Sequence, residues 1–388
     1  MIRAYKYKIY PNKKQQELLV KHFGCVRFIY NLGLQKKTES YQKTGKSPSC
    51  FDLIKQLKHM KSEHGWLKEV NSQSLQMAFR NLDNAFRRFF KKQARYPQFK
   101  KKFKKQSCQF PQGSNVDFDN NRLYVMKFRD GIKCKFHRQF EGNIKTVTIF
   151  MAPSGKYFAS ILVDNGEELP IKCNPERDNS VGVDVGLKHF ATLSTGEKID
   201  NPRYLKKLER RLARKQKQLS KKKKGSSNRN KARRKVALIH EKISNQRKDF
   251  LHKLSKRLID ENQAVCLEDL NVSGMVKNHC LAKAISDVGW YTFRTFLEYK
   301  AGWYGKHVLT IGRFEPSSKM CNQCGAINNN LKLSDRYWTC TCGAKHDRDA
   351  LASSNILNFA FCTPGQGEPK AFGEDVRRSQ YGTQFSMN

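Results

Sequence analysis

The sequence predicts an α/β core preceded by a small β-barrel that a helical segment interrupts. Three observations predict it. From about residue 181 onward, short apolar strands alternate with helical stretches. Between 117 and 164 the hydrophobic period drops to two, the signature of half-buried strands. Between these and the first strand, apolar residues recur at three- and four-residue spacing.

Residues 3–10 read as a strand, with Tyr5, Tyr7 and Ile9 on one face and Lys6 and Lys8 on the other, ended by Pro11. Residues 1–12 thus supply the barrel's first strand, 13–108 a helical insertion and 109–176 the rest of the barrel. The pattern stays helical to about residue 105. Its clearest stretch, 71–93, carries Leu75, Ala78, Leu82, Ala85 and Phe89 on one face. Arg80, Arg87, Arg88, Lys91 and Lys92 crowd the other positions. The segment 96–105 (YPQFKKKFKK) extends this basic face with Lys100, Lys101 and Lys102 among aromatics. A wholly basic face suits a phosphate backbone better than solvent alone.

Residues 122–128, 132–136, 145–151 and 157–163 read as antiparallel strands, punctuated by Asp130-Gly131, Glu141-Gly142 and Ser154-Gly155. After a polar linker at 174–180 come strands at 181–185 and 190–194. Two basic helices follow, one carrying Leu205, Leu208, Leu212 and Leu219, the other Val236, Ile239, Ile243, Phe250, Leu254 and Leu258. Their tip, KKKKGSSNRN, offers Lys221 and Lys222 to nucleic acid. A strand at 263–267, a helix at 285–304, a strand at 308–312, a cysteine cluster and a helix at 348–360 complete the core. The Gly-, Pro-, Ser- and Gln-rich stretch 363–388 has a disordered composition.

Charge and cysteines narrow the function. The 388 residues carry a formal net charge of +41, which repels itself unless a polyanion offsets it. Nucleic acid is the natural partner, because binding releases condensed counterions. The N-terminus shows no apolar signal region, and no apolar run approaches the ~20 residues of a membrane helix. No membrane partner is expected. Twelve cysteines in a chain of this kind point to a reduced, intracellular setting. Eight of them (Cys25, Cys50, Cys108, Cys134, Cys173, Cys266, Cys280, Cys362) read as buried or half-buried thiols.

Strand, strand, helices, strand, helix, strand, helix is an order compatible with an RNase H-like core. Phosphodiester hydrolysis needs an activated water and a stabilised leaving oxygen, which a pair of Mg²⁺ (or Mn²⁺) ions provides. Such ions want carboxylates. Asp184 interrupts the apolar run Val-Gly-Val-Asp-Val-Gly-Leu, where an unpaired carboxylate is costly. Glu268 ends Ala-Val-Cys-Leu-Glu-Asp-Leu, and neighbouring Asp269 competes with it, although an N-cap role suits Asp269 equally well. Asp347 and Asp349 flank Arg348 at the start of the last helix, where either could be a ligand or a cap.

Cys321, Cys324, Cys340 and Cys342 form two pairs around a short ribbon containing Trp338, a set that favours one tetrahedral Zn²⁺ in a closed structural site. The second pair has one intervening residue rather than two. His346 is a conceivable substitute ligand, with a surface position before the last helix as the plainer reading. Arg313, Ser317, Ser318 and Lys319 precede the cluster and could meet substrate phosphate. A turn explains the serines equally well.

GVDVGLKHFATLS, LEDLNVSGM with the following WYTFRTFLEYKA, and PSSKMCNQCG…WTCTCGAKHDRDALASSNIL closely resemble the TnpB family of transposon-encoded, RNA-guided nucleases, related to type V CRISPR effectors. YKYKIYPNKKQ…YPQFKKK at the N-terminus resembles it too, so the likeness spans all but the tail. The resemblance implies an α/β RNase H-like (RuvC) nuclease core at 177–313 and 347–362, with a zinc ribbon inserted at 314–346. It implies Asp184, Glu268 and Asp349 as metal ligands and Arg348 among the nucleic-acid contacts. The barrel becomes a wedge domain and the inserted helices a recognition lobe, cradling a guide RNA from the transposon end. The implied partners are that RNA and target DNA, double- and single-stranded, cut beside a short adjacent motif. Rival readings are a nuclease-dead RNA-guided repressor, a DNA transposase acting by strand transfer, and an RNA-binding protein with a zinc ribbon.

Overall fold

The computed structural model describes residues 1–102, 106–332 and 334–362. The tail 363–388 and residues 103–105 of the basic segment lie outside the described residues. The chain divides into two compact units, 1–168 with 233–238, and 169–232 with 239 onward.

In the first unit, β1 (Ile2–Tyr10) gives way at Pro11 to the long helix α1 (Lys13–Thr44). Asn12 caps it. Its side chain accepts from the Gln15 backbone N–H, while the Gln15 side chain accepts from the Asn12 N–H, satisfying two donors the helix start would leave unpaired. Gly45, at φ 69°, closes the other end. Short helices α2 (Cys50–Lys55) and α3 (Leu57–Glu63) lead to α4 (Ser72–Phe90), capped by Asn71. Six strands follow: β2 (Gln106–Phe110), β3 (Asn115–Asp117), β4 (Arg122–Val125), β5 (Phe128–Lys135), β6 (Asn143–Met151) and β7 (Tyr157–Asp164).

These strands pair antiparallel in the order β2-β6-β7-β1-β5-β4-β3, and no pairing joins β2 to β3 among the described residues. The expected closed barrel is thus an open sheet whose core the helices complete. Leu19, Phe23, Ile29 and Leu34 of α1 and Leu75, Phe79 and Leu82 of α4 share one cluster with Phe110, Ile132, Ile149 and Ile161. Gly33 lets α1 and α4 approach, since a Cβ there would lie 2.8 Å from the Phe79 ring.

Three expectations fail in this unit for local reasons. The helical pattern read to about 105 stops at Phe90, because Lys92 takes φ 57° and Pro97 removes a backbone donor. β2 then begins at Gln106, inside the stretch read as helical. Asp130-Gly131 lies within β5 rather than between strands. The reversal comes at Met126-Lys127, where Lys127 takes φ 75° and Val125 faces Phe128.

The second unit contains β8 (Ser180–Val185), β9 (His189–Leu193), β10 (Lys198–Asp200), α5 (Tyr204–Ser220), α6 (Ser227–Glu261), β11 (Ala264–Glu268), α7 (Val272–Met275), α8 (His279–Val288), α9 (Trp290–Trp303), β12 (His307–Ile311), β13 (Tyr337–Thr339), β14 (Lys345–Asp347) and α10 (Arg348–Cys362). Its main sheet runs β10-β9-β8-β11-β12, with β11 parallel to both β8 and β12. Alternation sorts the side chains. Val181, Val183, Val265 and Leu267 join Leu251, Leu254 and Leu258 of α6 and Phe293 and Leu297 of α9 on one face. Cys266 and Ile311 join Ile356 of α10 on the other. The helix expected over 285–304 is two helices, because Gly289 at φ 78° ends α8 and starts α9. Cys173, Cys280 and Cys362, expected to be buried or half-buried, are exposed: the first is in a loop, the others at helix ends.

Candidate catalytic and metal centres

Strand parity sets the acidic centre. Gly182 pairs with Cys266 across β8 and β11. A Cβ at Gly182 would lie 2.0 Å from the Ser353 carbonyl oxygen, so glycine admits α10 directly against the sheet. Two residues further along each strand, Asp184 and Glu268 emerge on that same α10 face, adjacent once the β8–β11 register is carried one residue on. Asp349 lies in the first turn of α10. All three are half-buried.

The charges feel one another. Burial first, then the negative charges of Glu268 and Asp349, push the Asp184 carboxyl up from 3.8 to about 7, with Arg348 and Arg336 opposing. A cluster of acids that raises its own proton affinity is an incomplete arrangement that a cation completes. Hard carboxylate oxygens from three separate elements are the donor type that Mg²⁺ or Mn²⁺ takes. Among the described residues, only the four cysteines bring three or more ligand atoms within 4.8 Å of one another.

The neighbours of each acid separate the alternatives. Ser317 Oγ donates to Glu268 Oε1, and the buried Asn355 amide donates to the Ser317 and Met320 carbonyl oxygens at 2.7 Å, tying α10 to this loop. Asp269 is not an N-cap. Arg294 and Arg313 hold it at 3.0 and 2.5 Å, and α7 is capped by Asn271 instead. Asp347 is a cap: its Oδ1 accepts from the backbone N–H groups of Asp349 and Ala350, and its Oδ2 meets Lys198 at 2.6 Å. The Asp349 charge, by contrast, acts on Asp184. Arg336 Nη1 approaches Asp349 Oδ1 at 3.4 Å, a contact with no sequence signal.

The cysteine cluster lies between β12 and α10. Cys321 and Cys342 stand 3.8 Å apart and Cys324 and Cys340 3.5 Å. Four sulfurs each ~2.3 Å from a central zinc sit ~3.8 Å apart, so the set fits tetrahedral Zn²⁺. The Cys342 backbone N–H lowers the Cys340 thiol, while hydrogen bonds from Cys340 and Cys342 raise Cys324, so the thiols share protons that a bound ion would displace. His346 is not a surface residue. The β13–β14 pairing sets it opposite Trp338, its ring lies 4.7 Å from that indole, and its Nε2 is 3.2 Å from Cys321 Sγ.

The predicted nucleic-acid contacts are scattered. Arg80, Arg88, Lys91, Lys92, Lys101 and Lys102 are exposed in the first unit. Arg87 pairs with Asp83 at 2.9 Å, and the Lys100 ammonium sits 3.7 Å from the centre of the Tyr30 ring. Lys221 and Lys222 are exposed between α5 and α6. Arg313 is engaged with Asp269, Lys319 is half-buried, and Arg348 donates to the Lys332 carbonyl at 3.3 Å.

Comparison with known proteins bears on these centres. Residues 160–279 match a family described as "Probable transposase", residues 290–356 a "Cas12f1-like, TNB domain", and residues 1–46 a "Helix-turn-helix domain". The last stretch here is a strand followed by one long helix. A Streptomyces pristinaespiralis protein, "Putative RNA-guided DNA endonuclease", is 41% identical over 94% of this chain and 91% of its own length. An Escherichia coli K12 protein, "Putative RNA-guided DNA endonuclease InsQ", is 30% identical over 97% of both. The fold also matches the protein in a cryo-EM structure of a Cas12f1–sgRNA–target DNA complex, at a TM-score of 0.55 and 12% identity, covering 92% of this chain and 99% of that one.

Proposed function

The chain belongs to the TnpB family, and from that membership we propose that it is an RNA-guided DNA endonuclease whose centre is Asp184, Glu268 and Asp349. The carrying observation is the placement of the three acids, Asp184 and Glu268 at the ends of neighbouring parallel strands and Asp349 in the first turn of α10, with burial and then the charges of the other two raising the Asp184 carboxyl. A carboxylate in a structural ion pair would be shifted the other way. Full-length relatives described as RNA-guided DNA endonucleases support the guide and the target.

Divalent cations held by the three carboxylates would supply the activated water and the neutralised leaving oxygen. The chain's own residues do the rest. Gly182 admits α10, whose first turn carries Asp349, against the strand that carries Asp184. Ser317 orients Glu268 through its hydroxyl, and Asp347 holds the first turn of α10. The cysteine cluster acts as a zinc ribbon bracing the centre, since β14 runs from the cluster directly into α10. In this reading 1–12 and 109–176 form the wedge and 13–108 the recognition lobe, with target sequence read by base pairing and the protein following backbone and shape. The same carboxylates would serve strand transfer, the activity that the transposase description suggests.

The test is Asp184→Ala in the complex purified with its RNA. Cleavage of a complementary duplex is expected to vanish while RNA and target binding persist. Residual cutting by this variant rejects the assignment. Joined rather than hydrolysed product from the wild type would establish strand transfer.

A further inference from the structure

Two exposed aromatic side chains lie close along the chain to residues that touch the acids. Phe314 is 93% exposed and Tyr337 is 74% exposed. Single exposed apolar residues are ordinary, but these two are not placed at random. Phe314 belongs to a loop pinned at both ends beside the centre: Arg313 Nη2 contacts Asp269 Oδ2 at 2.5 Å, and Ser317 bonds Glu268. Ser317 comes three positions after Phe314, so the Phe314 Cα lies no more than ~11 Å from a residue touching Glu268.

Tyr337 belongs to a different element, β13. It follows Arg336, which contacts Asp349, and its β-partner is Asp347, two residues before Asp349. Strand alternation sends Trp338 into the ribbon core and Tyr337 outward.

Building on the nuclease reading, we propose that Phe314 and Tyr337 are positioning residues that stack on unpaired nucleotide bases flanking the scissile phosphate. Every base has an apolar face, whereas a duplex hides those faces within its own stack. Rings flanking three acids therefore hold a single strand by its bases while the acids face its backbone. Stacking is sequence-tolerant, so the contact contributes reach and register without restricting the cut sequence.

The test uses the RNA-loaded full chain carrying Asp184→Ala, which cannot cut, and a single-stranded oligodeoxynucleotide with 2-aminopurine placed at successive positions through the cleavage region. Fluorescence quenching is expected at the bases flanking the cut. Phe314→Leu and Tyr337→Leu, added singly, should each abolish quenching at one position and weaken binding about tenfold. Phe314→Trp and Tyr337→Phe should restore both. In the cutting enzyme the same leucine variants should raise KM with little change in kcat, and zinc content should stay at one ion per chain. Quenching and KM unmoved in both leucine variants, while cleavage still depends on Asp184, would overturn the proposal alone. Quenching that persists in a wild-type protein unable to cut would overturn the nuclease reading and leave the stacking site standing.

Discussion

Replacing Asp184 with asparagine should stabilise the metal-free second unit while destroying cleavage. The folded protein holds the Asp184 proton up to about 7, against 3.8 for the ordinary group. Between those values the folded state binds more protons than the unfolded chain, so stability falls as pH rises through that window and stays reduced above it. A difference of that size corresponds to about 4 kcal/mol as a ceiling. Water entering the half-open site should reduce this to about 2 kcal/mol in practice. Asparagine keeps the shape and does not titrate, so it escapes the loss. For a unit of this size the midpoint should rise by about 4–8 °C at pH 8, and by almost nothing at pH 4. Calorimetry in EDTA at both pH values measures this directly. Adding Mg²⁺ should then stabilise the wild type more than the variant, because the ion offsets the charge that asparagine removes. An asparagine variant with no pH-dependent gain would refute the view that Asp184 is held strained by its acidic neighbours.

Three further outcomes follow from the geometry. Chelation, or Cys321→Ser, should release one zinc per chain and disorder the β13–β14 ribbon, with cleavage lost alongside; metal analysis and hydrogen exchange across 314–349 check both. Gly182→Ala would drive a Cβ to 2.0 Å from the Ser353 carbonyl, a backbone group that cannot swing away. It should cost about 3 kcal/mol in denaturant unfolding and, by shifting α10 and Asp349, lower kcat on the order of 100-fold. Lys221→Ala with Lys222→Ala should weaken nucleic-acid binding uniformly across sequences and flatten the slope of log affinity against log salt by about 2, as titrations at several salt concentrations would show.

Much of the second unit was legible because its signals are local. Apolar strands ending in an acid, two long basic amphipathic helices and paired cysteines each announce themselves within a few residues. The first unit was less legible. Whether its strands close into a barrel depends on partners distant in sequence, and the apolar stripes of α1 and α4 do not declare that they finish a sheet's core. Breaks governed by a single unusual φ, at Lys92 and Lys127, were also invisible, since lysine carries no preference for that conformation. His346 was misread because its burial comes from a cross-strand partner, Trp338, rather than from its own neighbours in the chain.

The sequence by itself determined that the chain is a polycation with three acids at the ends of core elements and four thiols spaced for zinc, because these are matters of residue type and short-range period. It could not choose between Glu268 and Asp269, or between Asp347 and Asp349, except through likeness to a family. Tertiary structure gives each acid its own contacts. Asp269 meets two arginines, and Asp347 caps a helix and pairs with Lys198. Glu268 and Asp349 are the acids whose charges act on Asp184, because strand pairing and a glycine that admits α10 join elements distant in sequence.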